Sequence, residues 1–172
     1  MSGAHKSGEN HKRRRQLVRR MEGFTLIEAL MAISIFIILS AIATPSLLSW
    51  RQSAKLRGAA ANLKGDMQLA RLKAIQENYT VAIHFSTNSY QIFKDDGPTP
   101  GEYDPGEELY GDRTLPAGVK IDLAKTTFSG ESARFKGRAT AAPGSTVLVD
   151  PKGTGKKVTV SGLGKITVTS EN

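Results

Sequence analysis

The chain has 172 residues and a formal net charge of +8, a length that suits one small domain with an appendage and excludes two large cores. It contains no cysteine, which excludes a disulfide framework, a thiolate metal site and a cysteine nucleophile. The charge is uneven: residues 1–23 carry seven Lys/Arg against Glu9 and Glu22, whereas the other 149 residues carry 17 basic and 14 acidic groups, so no single basic surface is implied.

The first element is a polar head holding Lys6, Lys12, Arg13, Arg14, Arg15, Arg19 and Arg20. Behind it, Ala29 to Trp50 runs 22 residues without a charged side chain. As a helix rising about 1.5 Å per residue this run spans roughly 33 Å, the thickness of a bilayer's hydrocarbon core. A cleaved secretory signal would have a shorter apolar region ending at a small-x-small site. The cations just before the run predict a cytoplasmic N-terminus, with the C-terminal part carried across the membrane.

Past Pro45 the pattern becomes amphipathic. Leu56, Ala60, Leu63, Met67, Ala70 and Ala74 recur at alternating spacings of 4 and 3, while Lys55, Arg57, Lys64, Asp66, Arg71, Lys73 and Glu77 take other faces. This predicts a helix lying on a soluble core. Pro45 removes a backbone donor, so one helix from about Phe24 to Asn78, kinked at Pro45, is expected.

From Tyr79 the period changes to that of strands. TVAIHF (80–85), a turn at Ser86–Ser89 and YQIFK (90–94) read as a hairpin. GVKIDL (118–123), SARFKG (132–137), STVLVD (145–150), KKVTVS (156–161) and GKITVT (164–169) read as further short strands between Gly and Pro turns. DDGPTPGEYDPGEELYGD (95–112), with seven acids, three prolines and four glycines, is expected to be loop throughout.

Within GFTLIEALMAISIFIILSAIATP (23–45) stands one acid, Glu28. A carboxylate at membrane depth costs roughly 2.5 to 3.5 kcal/mol on insertion scales, which marks it as functional and demands a cationic partner. The bland alternative is that Glu28 reaches the headgroups at the cytoplasmic end. No cation follows within 22 residues, but a cut after Gly23 would leave a free amine on Phe24, four residues from the acid. Amine and carboxylate of two staggered subunits would then neutralise each other in a low-dielectric medium.

GFTLIE at 23–28, behind a basic leader and ahead of about 20 apolar residues with Pro45, resembles the class III signal of type IV pilins and type II secretion pseudopilins. The resemblance implies cleavage by a prepilin peptidase after Gly23, N-methylation of Phe24 and an assembly role for Glu28. The remainder resembles the minor pseudopilin H and FimT group through LRGAAANLKGDMQLARLKAIQEN (56–78), YQIFKDDGPTPGEYDPGEEL (90–109), RFKGRATAAPGSTVLV (134–149) and VTVSGLGKITV (158–168). Where that group often has Gly-Arg before the last strand, this chain has Gly164-Lys165, which loses arginine's planar fork.

Other motifs carry less. GTGKK (153–157) lacks a phosphate loop's Gly at 150 and Ser/Thr at 157, where Asp150 and Lys157 stand, so a turn between strands is expected. Asp95, Asp96, Glu102, Asp104, Glu107 and Glu108 are hard-cation ligands by chemistry, but their spacing is not that of a calcium loop and prolines restrict it. His84 has no ligand-spaced partner, and no nucleophile, acid–base pair or metal motif appears, so neither a catalytic residue nor a metal site nor a cofactor is expected. Arg134, Lys136, Arg138, Lys156, Lys157 and Lys165 outnumber the acids around them and would bind DNA phosphates if gathered on one face; ordinary solvated strands are the alternative.

The sequence therefore predicts an α+β protein of pilin fold, a long N-terminal helix packed on an antiparallel, β-rich head. Its expected parts are a leader (1–23), a transmembrane helix half (24–50), an amphipathic half (51–78) and a periplasmic head (79–172). The expected function is that of a minor pilin or pseudopilin in the inner membrane and then in a type IV pilus or type II secretion pseudopilus, at or near its tip, priming or capping assembly. Its expected partners are other pilins, a prepilin peptidase and the membrane, with no small-molecule substrate; DNA capture is the second reading.

Overall fold

Alternating apolar spacings of three and four residues become one helix, α1 (Leu26–Glu77), in the computed structural model, which describes residues 23–171. The leader ahead of Gly23 lies outside the described residues. So does the side chain at position 45, and with it the kink expected there, although the helical assignment runs through that position. The described chain falls into two compact units, one reaching Ile42 and one beginning at Ala43.

In the first unit the apolar side chains are exposed: Leu30 is 52%, Phe36 72% and Ile42 71% accessible. Ser34, a polar residue within the run, satisfies its hydroxyl by donating to the Leu30 carbonyl at 2.8 Å. The helix is long and apolar enough to cross a membrane.

In the second unit the predicted stripe is fully used. Leu56, Ala60, Leu63, Met67, Ala70 and Ala74 are all at 1% exposure or less and form one core with the strands. α1 stops at Glu77, and Asn78 takes the left-handed conformation (φ 55) that commonly closes a helix. Gly137 sits against that turn, where a Cβ would fall 2.8 Å from the Asn78 Cα.

Eight strands follow: β1 (Val81–Phe85), β2 (Ser89–Lys94), β3 (Leu109–Thr114), β4 (Lys120–Asp122), β5 (Ser132–Phe135), β6 (Gly144–Val149), β7 (Gly155–Val160) and β8 (Ile166–Glu171). They make two antiparallel four-stranded sheets, ordered β3-β2-β1-β5 and β4-β6-β7-β8. Inward-facing Ile83, Phe85, Ile92 and Phe135 of the first sheet share the core with Leu148, Val158 and Val160 of the second. Phe85 and Phe128 stack with centroids 5.6 Å apart, and Gly144 is required beneath Phe128, whose ring would stand 2.3 Å from a Cβ there.

Two expectations are corrected. The segment 95–112 is not loop throughout, because Leu109–Asp112 open β3 and pair with β2 through a shift in register between Ile92 and Phe93. Gly111 and Asp112 disfavour a strand locally, but the free edge of β2 supplies the missing backbone partners. The strand expected at 118–123 is only Lys120–Asp122, and Leu123–Lys125 turn as a short 3-10 segment.

Candidate functional site: an exposed membrane-length helix and a charged head

The start of α1 is built by its own first residues. The Thr25 hydroxyl accepts the Glu28 backbone N–H at 3.3 Å and the Thr25 carbonyl accepts the Ala29 N–H at 3.2 Å, so Thr25 is the N-cap and Glu28 the third helical residue. T-x-x-E is the spacing of a capping box, and it shares its residues with the GFTLIE motif at 23–28. A carboxylate in the first turn also lies at the positive end of the helix dipole. Glu28 thus has a local reason to stand there. Gly23, Phe24 and Glu28 are all exposed, Phe24 at 84%.

The acidic segment between β2 and β3 satisfies itself. The buried Glu107 carboxylate accepts the N–H groups of Asp96 (3.0 Å), Gly97 (2.7 Å) and Asp104 (2.8 Å). Asp104 accepts the Thr99 N–H at 2.9 Å, and Asp95 accepts the Gly101 N–H at 2.8 Å while pairing with Arg134 at 2.6 Å. Three carboxylates are spent on backbone donors, which makes the loop rigid. No group of acids or histidines with metal-site geometry occurs among the described residues. His84 bonds Ser132 through Nδ1 at 2.9 Å, and the 150–154 turn is closed by Asp150 accepting the Lys152 and Thr154 N–H groups, as the turn reading of GTGKK requires.

The six basic candidates have different fates. Arg134 is committed to Asp95, whose side chain is 2% exposed, and Lys157 pairs with Glu171 at 3.7 Å. Lys156, on the opposite face of β7, donates to Ser170 at 2.8 Å. Lys136 and Arg138 lie on the 136–141 turn, which touches the 161–165 turn bearing Lys165: the Ala141 N–H donates to the Gly162 carbonyl at 3.1 Å. Arg71 of α1 joins there, donating to the Leu163 carbonyl at 3.1 Å. The structure therefore brings Lys136, Arg138 and Lys165 onto adjoining turns and separates them from Lys156 and Lys157.

At the end of α1, Tyr79 hydrogen-bonds both Glu77 and the Tyr110 hydroxyl, and Lys73 lies 4.2 Å over the Tyr110 ring. Burial, then the bonds to Glu77 and Tyr110, pushes the Tyr79 phenol well above the usual tyrosine range. Tyr90 donates to Asp66 of α1 at 2.7 Å and is likewise raised, first by burial and then by that carboxylate. These phenols fasten the helix to the first sheet.

Comparison with known proteins follows the same division. Residues 18–44 match the prokaryotic N-terminal methylation motif, and residues 59–164 match the Type II transport protein GspH family. No curated protein matches the chain. Among solved structures, the type IV minor pilin FimU of Pseudomonas aeruginosa is similar at 16% identity and a TM-score of 0.54, over 72% of this chain and 97% of that one. E. coli GspH is similar at 18% identity and 0.52, over 68% and 89%. The minor pseudopilin EpsH of Vibrio cholerae is similar at 14% identity and 0.50, over 67% and 97%. At these identities the structures speak for the fold. Family membership implies processing by a prepilin peptidase and assembly with other pilins into a filament; its members are structural subunits, not enzymes. With more than half of its length matched by the family and a methylation motif at the head of its apolar helix, the chain belongs to the GspH family of pilin-like minor pseudopilins.

Proposed function

We propose that this chain is a minor subunit placed at or near the tip of a type IV pilus or type II secretion pseudopilus, where it primes or caps assembly. On this reading the peptidase cuts between Gly23 and Phe24, Phe24 is N-methylated, and the helix crosses the inner membrane once with residues 79–172 in the periplasm. Glu28 receives the amine of a neighbouring subunit's first residue, so that neither charge stays alone in the apolar phase. The observation that carries the reading is the exposed apolar run from Leu26 to Ile42 headed by Glu28 in the first turn, whose large side chains no described residue buries. In cells with an active prepilin peptidase, Gly23→Asp is expected to leave the chain at precursor size. Glu28→Gln is expected to be cut yet missing from sheared filaments, and normal incorporation of that variant would overturn the proposed pairing.

A second reading, capture of DNA, is favoured by one observation, the adjoining turns that carry Lys136, Arg138 and Lys165. Duplex retention that falls steeply with salt and is lost in Arg138→Ala/Lys165→Ala would support it. Equal retention by wild type and variant would dismiss it.

A further inference from the structure

Three segments of the second unit meet where the charge-free run of the sequence stops, at Trp50: residues 49–55 of α1, the turn at 116–119 and the turn at 150–154. The Lys152 ammonium donates to the Ser49 hydroxyl at 2.7 Å, and the Lys55 ammonium donates to the Ala117 carbonyl at 3.3 Å. The two turns abut, since a Cβ at Gly118 would lie 3.5 Å from the Pro151 ring. Arg51, two residues past Ser49, is exposed.

The one acid in these segments is Asp150. It is buried, and one of its oxygens accepts the N–H groups of both Lys152 and Thr154. Arg51, Lys55 and Lys152 are exposed, and among the described residues none of them forms an ion pair. An ammonium carries three protons, so Lys55 and Lys152 each keep two donors after the bonds just given. Leu47, Leu48 and Trp50, exposed as well, precede these cations on the helix. A tryptophan with apolar residues before it and a cation after it is the pattern of an anchor at a membrane surface. The polar zone of a leaflet is about 5 to 7 Å deep and the helix rises about 9 Å from Ser49 to Lys55, which puts the three cations at the level of the phosphates. The charge bias that orients a membrane chain favours cations on the cytoplasmic side, so it gives no reason for a cluster at this end.

We propose that Arg51, Lys55 and Lys152 form a docking surface for the phosphates of anionic phospholipid, which holds the 116–119 and 150–154 turns of the head against the leaflet. The arginine fork takes phosphate oxygens in pairs, and the two ammoniums act as point charges already fixed in place by Ser49 and Ala117. Lys64, about 21 Å past Trp50 along the helix, lies beyond the headgroups and takes no part. Nucleic acid fits less well, since three cations at the level of the headgroups make a short footprint for a duplex. The inference rests on the membrane-crossing reading and goes beyond it by naming a contact between head and lipid, one that is given up when the subunit leaves the membrane for a filament.

The chain has no cysteine, so a single thiol can carry a probe. Full-length Ala117→Cys, labelled with a fluorophore, is reconstituted into nanodiscs of phosphatidylcholine, alone or mixed with phosphatidylglycerol, with a nitroxide on some of the choline headgroups as quencher. This substitution keeps all three cations and the backbone carbonyl that Lys55 uses. Phosphatidylglycerol is expected to raise quenching at least about threefold, since each cation at such a surface is worth about fivefold in binding. The gain should vanish in Lys55→Gln/Lys152→Gln, survive in Lys152→Arg, and fall away at about 1 M salt, where the screening length is about 3 Å. Lys64→Gln/Lys156→Gln, which removes the same charge farther up the head, should leave it unchanged, and a label at Thr99→Cys should not respond to the lipid. The basic leader is present in every chain compared, so its own lipid contacts cancel. Equal quenching in the two lipids overturns the proposal, as does a gain that survives Lys55→Gln/Lys152→Gln or is lost equally in Lys64→Gln/Lys156→Gln. Reversal of the gain by duplex DNA at equal phosphate concentration would give the cations to nucleic acid and overturn it too. Carbonate extraction separates the two readings: a chain that resists extraction yet ignores phosphatidylglycerol loses this contact alone, whereas a chain that is released loses the membrane crossing and this contact with it.

Discussion

The two stretches of α1 dispose of their large apolar side chains in opposite ways. From Leu26 to Ile42 the large side chains stay exposed, Ile27 at 63% and Phe36 at 72%, while Leu56, Leu63 and Met67 are at 1% or less. The first stretch is apolar on every side, so no one face selects a partner sheet. The second buries one stripe, from Leu56 to Ala74 with small alanines among it, which lets two sheets approach closely, and leaves Leu69, Leu72 and Ile75 exposed. Apolar content alone therefore does not mark an internal core. A helix buries itself only where its pattern offers one face, and an all-round apolar stretch must find its cover in lipid or in other subunits.

The largest test of this contrast is a matched pair of truncations. Leu63→Ala is expected to destabilise the full chain in micelles by about 3 kcal/mol, as a cavity at a fully buried site does. Ile35→Ala is expected to change stability by less than about 0.5 kcal/mol. Comparable losses in urea titrations of the two would mean that the first stretch also packs against its own chain.

A smaller effect separates structural from surface charge within the head. Arg134→Ala leaves Asp95, 2% exposed, with only the Gly101 N–H. The expected loss is about 2 kcal/mol, below the value for fully buried pairs because Arg134 is one-third exposed. Lys136→Ala should cost almost nothing, and thermal melts of both variants check this.

At the head of the first stretch, Thr25→Ala removes the hydroxyl that accepts the Glu28 N–H. About 1 kcal/mol of local helix stability should go with it, read as faster amide exchange over residues 26–29 in micelles. Unchanged exchange would show that the cap is idle.

The smallest effect joins α1 to the first sheet. Tyr79 and Tyr90 have raised phenol pKa values, because burial and neighbouring carboxylates favour the neutral form. A pKa raised on folding gives stability that is complete below the unfolded value near 10 and declines as pH rises above it. The head should therefore soften above about pH 10. Absorbance titration of tyrosinate should show the Tyr79, Tyr90 and Tyr110 phenols ionising above the usual tyrosine range. Ionisation of every phenol at about pH 10 would break the assignment.

Much of this was legible because it is written in local pattern. The stripe from Leu56 to Ala74 is a spacing, and a spacing becomes a face as soon as a helix forms. The hairpin of β1 and β2 follows from β-branched and aromatic runs on either side of Ser86–Ser89. What escaped depended on distant residues. β3 was hidden because Gly111 and Asp112 are poor strand formers whose pairing comes from β2. Arg134 read as a free cation because Asp95, 39 residues earlier, is brought to it only by the first sheet. The cap at Thr25 was readable but lay under a stronger signal, the cleavage motif that shares its residues.

Sequence by itself determined where this protein is apolar on all sides, where on one, where it alternates, and which short motif stands at the head of its helix. Those properties are periodicities and neighbour relations, and each needs only a few covalently adjacent residues to act. Tertiary structure decided which charges are spent and which are spare. Among the described residues it left Arg57, Lys64 and Glu102 without an ion pair while it paired Arg134 and Lys157. Pairing of this kind depends on contacts across the two sheets, and their free energy appears only when the chain has closed on itself.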